Sequence, residues 1–214
     1  MFEYFRRDLN RYWMLDSSDG KPGVVEKLRI LLHAPQIQSI AIFRFGSWIH
    51  RNVKPAPLRI PLKIAYHLLE KTNHALWGIH IDEGADIGPG FYIGHAGDLL
   101  IGAVKIGEDC NISSHTRMGR RTDGQGGGVP TIGDRVFVGA GSILFGPIHV
   151  GSGATIGPLT VVGRNVPPKT IVAGNPMQVM RRDWDNTVQI YGNHPPPGVG
   201  GAPPEENAPE GNTG

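Results

Sequence analysis

Between Ile81 and Ile171 aliphatic residues return at a step of six, and that step limits what the chain can fold into. They fall at Ile81, Ile87, Ile93, Leu99, Ile106, Ile112 and Met118. After a gap they resume at Ile132, Val138, Leu144, Val150, Ile156, Val162 and Ile171. One extra residue precedes Ile106. Gly commonly follows the aliphatic residue, as at Gly88, Gly107, Gly133 and Gly151. Four positions after the anchor the side chain is small or β-branched, as at Ala85, Ala103, Cys110, Thr116, Val136, Ser142, Ala154 and Thr160. A helix needs spacings of three and four, and a meander needs longer runs of alternation. A step of six suits a short strand followed by a corner. The aliphatic side chain then fills a narrow prism, and stacked coils pair their strands about 4.8 Å apart. Each coil buries its apolar side only against its neighbours, so several coils are required. The anchors make nearly five three-sided coils.

The rest of the chain frames this repeat. Gly makes up 31 of 214 residues, roughly twice the usual share. The absence of a G-X-Y period excludes collagen. Cys110 is the only cysteine, which excludes a disulfide framework and a Cys-based zinc site. A net charge of +2 gives no reason to expect nucleic acid. No apolar run approaches the ~18 residues of a membrane span. The charged start of the chain does not resemble a signal peptide, so a cytoplasmic location is expected.

Three regions are expected. Residues 1–77 read as a helical segment. Val24, Val25, Leu28, Leu31 and Leu32 share a helical face, as do Ile37, Ile40, Ala41, Phe45, Trp48 and Ile49, and a third helix carries Leu58, Leu62, Ala65 and Leu69. Pro35–Leu69 is basic, with no Asp or Glu. Such a stretch suits either a solvated helical cap or peripheral contact with the inner face of a membrane. Residues 78–182 hold the repeat. Residues 183–214 form a C-terminal extension whose Pro- and Gly-rich part, 193–214, has little to bury and reads as a disordered tail.

The repeat form, the segment Ile87-Gly-Pro-Gly-Phe-Tyr-Ile-Gly-His95, the break between Met118 and Ile132, and Val172-Ala-Gly-Asn-Pro176 together resemble the hexapeptide-repeat acyltransferases. The likeness is to serine O-acetyltransferases and their relatives in polysaccharide gene clusters. It covers about residues 79–182. It implies a mainly β fold, a left-handed parallel β-helix with an N-terminal helical segment. It also implies a homotrimer whose active sites are shared between chains, and acetyl-CoA as a co-substrate with no permanent cofactor and no metal.

Acetyl transfer from a thioester needs a base to take a proton from the attacking hydroxyl, and histidine suits that task near neutral pH. The resemblance assigns the role to His95. It sets Gly139, Ala140, Gly157 and Pro158 along the pantetheine arm of CoA. Arg181 and Arg182 are candidates for the CoA phosphates, because a guanidinium grips phosphate with a fork of donors. His80, Asp82, His115, Arg120 and Arg121 are candidates for contacting the acceptor, and the loop after Met118, including Asp123 and Gly126–Gly128, reads as a lid. Asp82, Glu83 and Asp98 are the carboxylates considered for orienting His95.

Three departures concern the acceptor. The acid fifteen residues before the base is replaced by His80, the acid next to the base by Gly94, and a loop histidine by Val129. The expected acceptor is therefore a hydroxyl of a polysaccharide sugar or its precursor. The alternatives are a true serine acetyltransferase and a non-catalytic β-helix scaffold. A zinc hydrolyase on this fold needs three converging histidines, and His95 with His115 does not supply them. Cys110, at a small interior position, reads as packing rather than a nucleophile.

Overall fold

The computed structural model describes residues 2–16, 23–121, 127–196 and 198–199. Four helices come first: α1 (Phe2–Asp16), α2 (Val24–His33), α3 (Pro35–Asn52) and α4 (Ala56–Trp77). The last three lie where the apolar spacing predicts them, and α1 is an addition. Pro35 opens α3 and Pro57 stands in the first turn of α4, where a missing N–H costs nothing. Gly78, at φ +65°, ends α4 in the left-handed conformation. Helix α3 is the most embedded, with Ile37, Ile40, Phe43 and Ile49 buried. Helix α2 departs from expectation. Its apolar face is open, with Val24 and Val25 83% and 84% exposed, because α2 packs chiefly on α3 and turns these residues outward. No described helix is long and apolar enough to cross a membrane.

From Ile79 the chain winds into five coils. The first holds β1 (Ile79–Ile81), β2 (Asp86–Ile87) and β3 (Tyr92–Ile93), and the second β4 (Leu99–Ile101), β5 (Lys105–Ile106) and β6 (Asn111–Ile112). The third holds β7 (Arg117–Gly119), β8 (Thr131–Ile132) and β9 (Phe137–Val138), and the fourth β10 (Ile143–Phe145), β11 (His149–Val150) and β12 (Thr155–Ile156). The fifth has β13 (Val161–Val162), a bridge from Val166 to Val150, and β14 (Ile171–Ala173). Each strand pairs in parallel with its counterpart one coil on. The result is three faces: β1-β4-β7-β10-β13, β2-β5-β8-β11 and β3-β6-β9-β12-β14. Strand β15 (Gln178–Arg181) folds back antiparallel on β14 and caps the third face. This is the parallel β-helix that the repeat predicts.

One inward side chain per strand fills the prism, and none of these is more than 4% exposed. Burying each is worth about 1.5–3 kcal/mol. Two anchors differ from expectation. Ile81 is in register with Ile101, and Ile101 with Met118, so Ile101 takes the place assigned to Leu99. Leu99 is buried as well, opposite Ile79, so periodicity alone cannot separate the two. Likewise Val172, not Ile171, faces inward opposite Ile156. The shift at Ile101 leaves Ala103 exposed and gives its interior place to Val104.

The C-terminal extension begins with structure that its composition does not reveal. Helix α5 (Thr187–Tyr191) buries Ile190 and Tyr191 against the body. The Arg11 guanidinium of α1 donates to Ile190 O at 2.6 Å, to Asn111 Oδ1 at 2.5 Å and to Gly90 O. One buried side chain thus ties together α1, α5 and two coils. Of the tail expected over residues 193–214, residue 197 and residues 200–214 lie outside the described residues.

Candidate active site

His95 stands on the edge where the third face turns into the first. Ile93 and Ile101 are eight positions apart rather than six, so the corner between them carries two extra residues. The next side, from Ile101 to Ile106, is one residue short. The His95 side chain in this long corner is exposed.

Three further corners stack along this edge. His115 N–H donates to Gly97 O at 2.9 Å, Gly141 N–H to Ser114 O at 3.0 Å, and Leu159 N–H to Ala140 O at 2.8 Å. The backbone turns left-handed at His115, Gly141 and Leu159, with φ of +59°, +73° and +57°. His95, His115, Gly139, Ala140, Gly157 and Pro158 therefore share one edge. At about 4.8 Å per coil, Ala140 lies some ~10 Å and Pro158 ~15 Å along it from the level of His95. Gly139 is constrained by packing: a Cβ there would meet Pro158 N at 2.6 Å.

Other predicted residues lie elsewhere. Asp82, Arg120 and Arg121 occupy the edge between the first and second faces, away from His95 in the same chain. Asp82 Oδ1 accepts Gly84 N–H at 2.7 Å. Arg121 stands 5.2 Å from the centre of the Phe145 ring. His80 sits on the outer side of the first face, its Nδ1 2.5 Å from Glu70 Oε1 and its ring edge-on to His74. Arg181 lies 4.9 Å over the Trp184 ring at the end of β15, and Arg182 follows, exposed. The lid residues Asp123 and Gly126 lie outside the described residues, and Val129 is partly buried against the core.

The carboxylates considered for orienting His95 are engaged with other groups. Glu83 accepts from Lys63 Nζ at 2.7 Å, and Asp98 from Arg117 at 2.7 Å. The Arg117 guanidinium holds the Asp98 carboxyl below its usual range. Instead α1 approaches the strand that leads to His95. The Tyr12 hydroxyl accepts Ile93 N–H at 2.8 Å and donates to Ile93 O at 2.9 Å. The rings of Tyr12 and Tyr92 lie 4.5 Å apart, and the Tyr92 hydroxyl donates to Asp16 Oδ1 at 3.3 Å. No local sequence signal links Tyr12 or Asp16 to this edge. Cys110 is fully buried, and burial pushes its thiol up to about 12, which suits packing and not attack on a substrate.

The family described as hexapeptide repeat of succinyl-transferase matches residues 131–158. The chain is 32% identical over 162 residues to a serine acetyltransferase of Synechococcus elongatus, across 75% of this chain and 63% of that protein. It is 29% identical over 163 residues to a serine acetyltransferase of Helicobacter pylori, across 76% and 91% of the two chains. It superposes on serine acetyltransferase in complex with coenzyme A from Brucella abortus strain S19 with a TM-score of 0.70 and 22% identity, covering 85% of this chain and 68% of that one. This chain thus spans less than two thirds of the Synechococcus protein. The coils, the repeat and the family match define a hexapeptide-repeat β-helix protein. Within that class the proteins to which its sequence is similar are serine acetyltransferases.

Proposed function

We propose that the protein transfers an acetyl group from acetyl-CoA to a hydroxyl, with His95 as the base. The observation that carries this reading is the shared edge. His95 stands exposed at one end, with Gly139–Ala140 and Gly157–Pro158 farther along. A long, thin thioester laid along this edge presents its carbonyl at His95 and runs past Gly139–Ala140 and Gly157–Pro158; Arg181, in register with Ile171, stands on the other border of the third face. The acceptor hydroxyl oxygen attacks that carbonyl as His95 takes its proton. The tetrahedral intermediate collapses, the C–S bond breaks, and the CoA thiolate leaves with the proton returned from the imidazolium. The relatives named as serine acetyltransferases, and one such structure holding coenzyme A, support donor and chemistry.

The relatives' names make L-serine the first acceptor to test. A sugar hydroxyl is the second reading, favoured by His80, Gly94 and Val129 at positions where the serine enzymes carry polar acceptor groups. A site without those groups binds a charged amino acid poorly. Thiol release from acetyl-CoA is to be measured with L-serine, simple sugars and nucleotide sugars at equal concentration. A kcat/KM for L-serine of roughly 10⁴ M⁻¹s⁻¹ or above establishes the serine reading and ends the sugar one. Failure with every hydroxyl acceptor overturns the function and leaves a scaffold.

Peripheral membrane contact belongs to the same proposal, and helix α4 is the element that suits it. Ile60, Ile64 and Leu68 recur every fourth residue on its outer side and are 59%, 57% and 64% exposed. Arg59, His67 and Lys71 lie among them, and Glu70 is turned to His80. An anionic bilayer face complements such a stripe. Co-sedimentation with phosphatidylglycerol vesicles, lost in Ile64→Glu and weak with phosphatidylcholine, is expected. Equal recovery of both proteins in the supernatant discards the contact.

A further inference from the structure

Ser47 sits in the middle of α3 with its hydroxyl unused. A serine or threonine inside a helix commonly returns its hydroxyl to the carbonyl one turn back. Ser39 does so to Pro35 O at 2.8 Å, and Thr72 to Leu68 O at 2.9 Å. Ser47 is 8% exposed, and among the described residues its Oγ makes no hydrogen bond. A buried hydroxyl without a protein partner calls for another one. Ser47 lines a cavity of about 180 Å³ between α1, α3 and the start of the second face. Arg44, Trp48, Arg51 and Asn52 recur on the same side of α3, and Tyr4 of α1 stands opposite them. Arg44, 6% exposed, directs four N–H groups to Asp8, Ile87 O and Gly88 O and keeps one of its five. The charges of Arg44 and Arg51 are matched by Asp8 and Asp86. A second cavity, of about 290 Å³, shares Tyr4 and Ile87 with the first and runs over Gly88 and Gly107 to Lys105 and Glu108. Together they form one groove on the second face, the face that does not border the His95 edge.

We propose that this groove binds a neutral glycan, with one pyranose ring in the α3 cavity and the next over the second face. Sugar hydroxyls both donate and accept hydrogen bonds. Ser47 Oγ and the Asn52 amide can do either, and Arg44 and Arg51 donate. The rings of Tyr4 and Trp48 offer flat apolar surface to the C–H side of a pyranose. Because both arginines are already balanced, the α3 cavity has no surplus positive charge with which to hold a phosphate or a carboxylate. Beyond Tyr4 the glycines leave the backbone of the second face bare. They are fixed by the packing of the coils, since a Cβ at Gly88 would meet Gly107 C at 2.7 Å. Lys105 and Glu108 border that stretch with a donor and an acceptor. The groove is separate from the chemistry proposed at His95. It holds a sugar chain whether or not a hydroxyl of that chain accepts the acetyl group.

Saturation-transfer NMR on the full chain tests this without turnover. The probes are maltose, cellobiose, lactose and mannobiose, with inorganic phosphate and acetate as competitors. Saturable transfer to at least one disaccharide is expected, undiminished by either anion at equal concentration. Ser47→Ala is expected to weaken binding about fivefold, the worth of one hydrogen bond. It is also expected to melt no lower than the parent, because alanine is the better helix former and no internal bond is lost. Tyr4→Ala, which removes a wall of both cavities, is expected to weaken binding about tenfold. His95→Ala is expected to bind as the parent does. Absence of transfer to every disaccharide overturns the proposal, as does equal affinity in the parent, Ser47→Ala and Tyr4→Ala. Displacement by phosphate or acetate overturns it in favour of an anion site, and loss of binding in His95→Ala places the sugar at the other edge. If binding follows Ser47 and Tyr4 while no hydroxyl acceptor is ever acetylated, the groove stands and only the proposed acetyl transfer fails.

Discussion

At His95 the chain departs from its own repeat. Two additional residues separate Ile93 from Ile101, and His95 stands exposed in that corner. Replacing His95 with Ala removes no packing contact of the interior, because the side chain is exposed. Turnover is expected to fall by on the order of 10²–10⁴, while the far-UV spectrum and melting temperature stay at parent values. A variant that retains most of its rate removes the proposed chemistry. His95 was legible because Ile-Gly-His sits inside a visible repeat. The bond from Tyr12 to Ile93 was not, because it arises only when α1 docks on β3.

At the scale of elements, the hexad predicts strands and corners well because one requirement, filling a narrow prism, repeats at each turn. It fails where two apolar residues compete for one place. Leu99 and Ile101 are both buried, and only their pairing with Ile79 and Ile81 assigns them. Helix α5 was illegible for another reason: a five-residue helix shows too little periodicity, and its stability comes from what it covers. Arg11 is the test of that dependence. Its guanidinium serves Gly90 O, Asn111 Oδ1 and Ile190 O in a buried space. Arg11→Ala strands these acceptors and leaves a void, at an expected cost of about 3–5 kcal/mol. The measurement is the urea midpoint of the full chain. A loss below about 1 kcal/mol would show that α1 and α5 are held by something other than this residue.

At the scale of the molecule, one chain separates groups that the proposed chemistry needs together. His95 stands on the edge between the third and first faces, whereas Arg120 and Arg121 stand on the edge between the first and second. The outer side of the first face, which divides them, carries Leu100 and Ile143, 41% and 40% exposed, with Leu159 at 75% on the bordering edge. A head-to-tail contact that closes after three copies would bring the arginine edge of one chain against the His95 edge of the next. It would also cover these apolar side chains, and the acetyl-CoA cleft would then have walls from two protomers. Light scattering of the purified protein is expected to give a trimer. Ile143→Glu introduces a charge into the contact without touching the prism interior, because the residue points outward. The variant is expected to run as a monomer with a native far-UV spectrum and to lose acetyl transfer, although His95 and every group on its own edge remain in place. A monomer that transfers acetyl groups at the parental rate would mean that one chain holds the whole site, and would assign Arg120 and Arg121 to the surface.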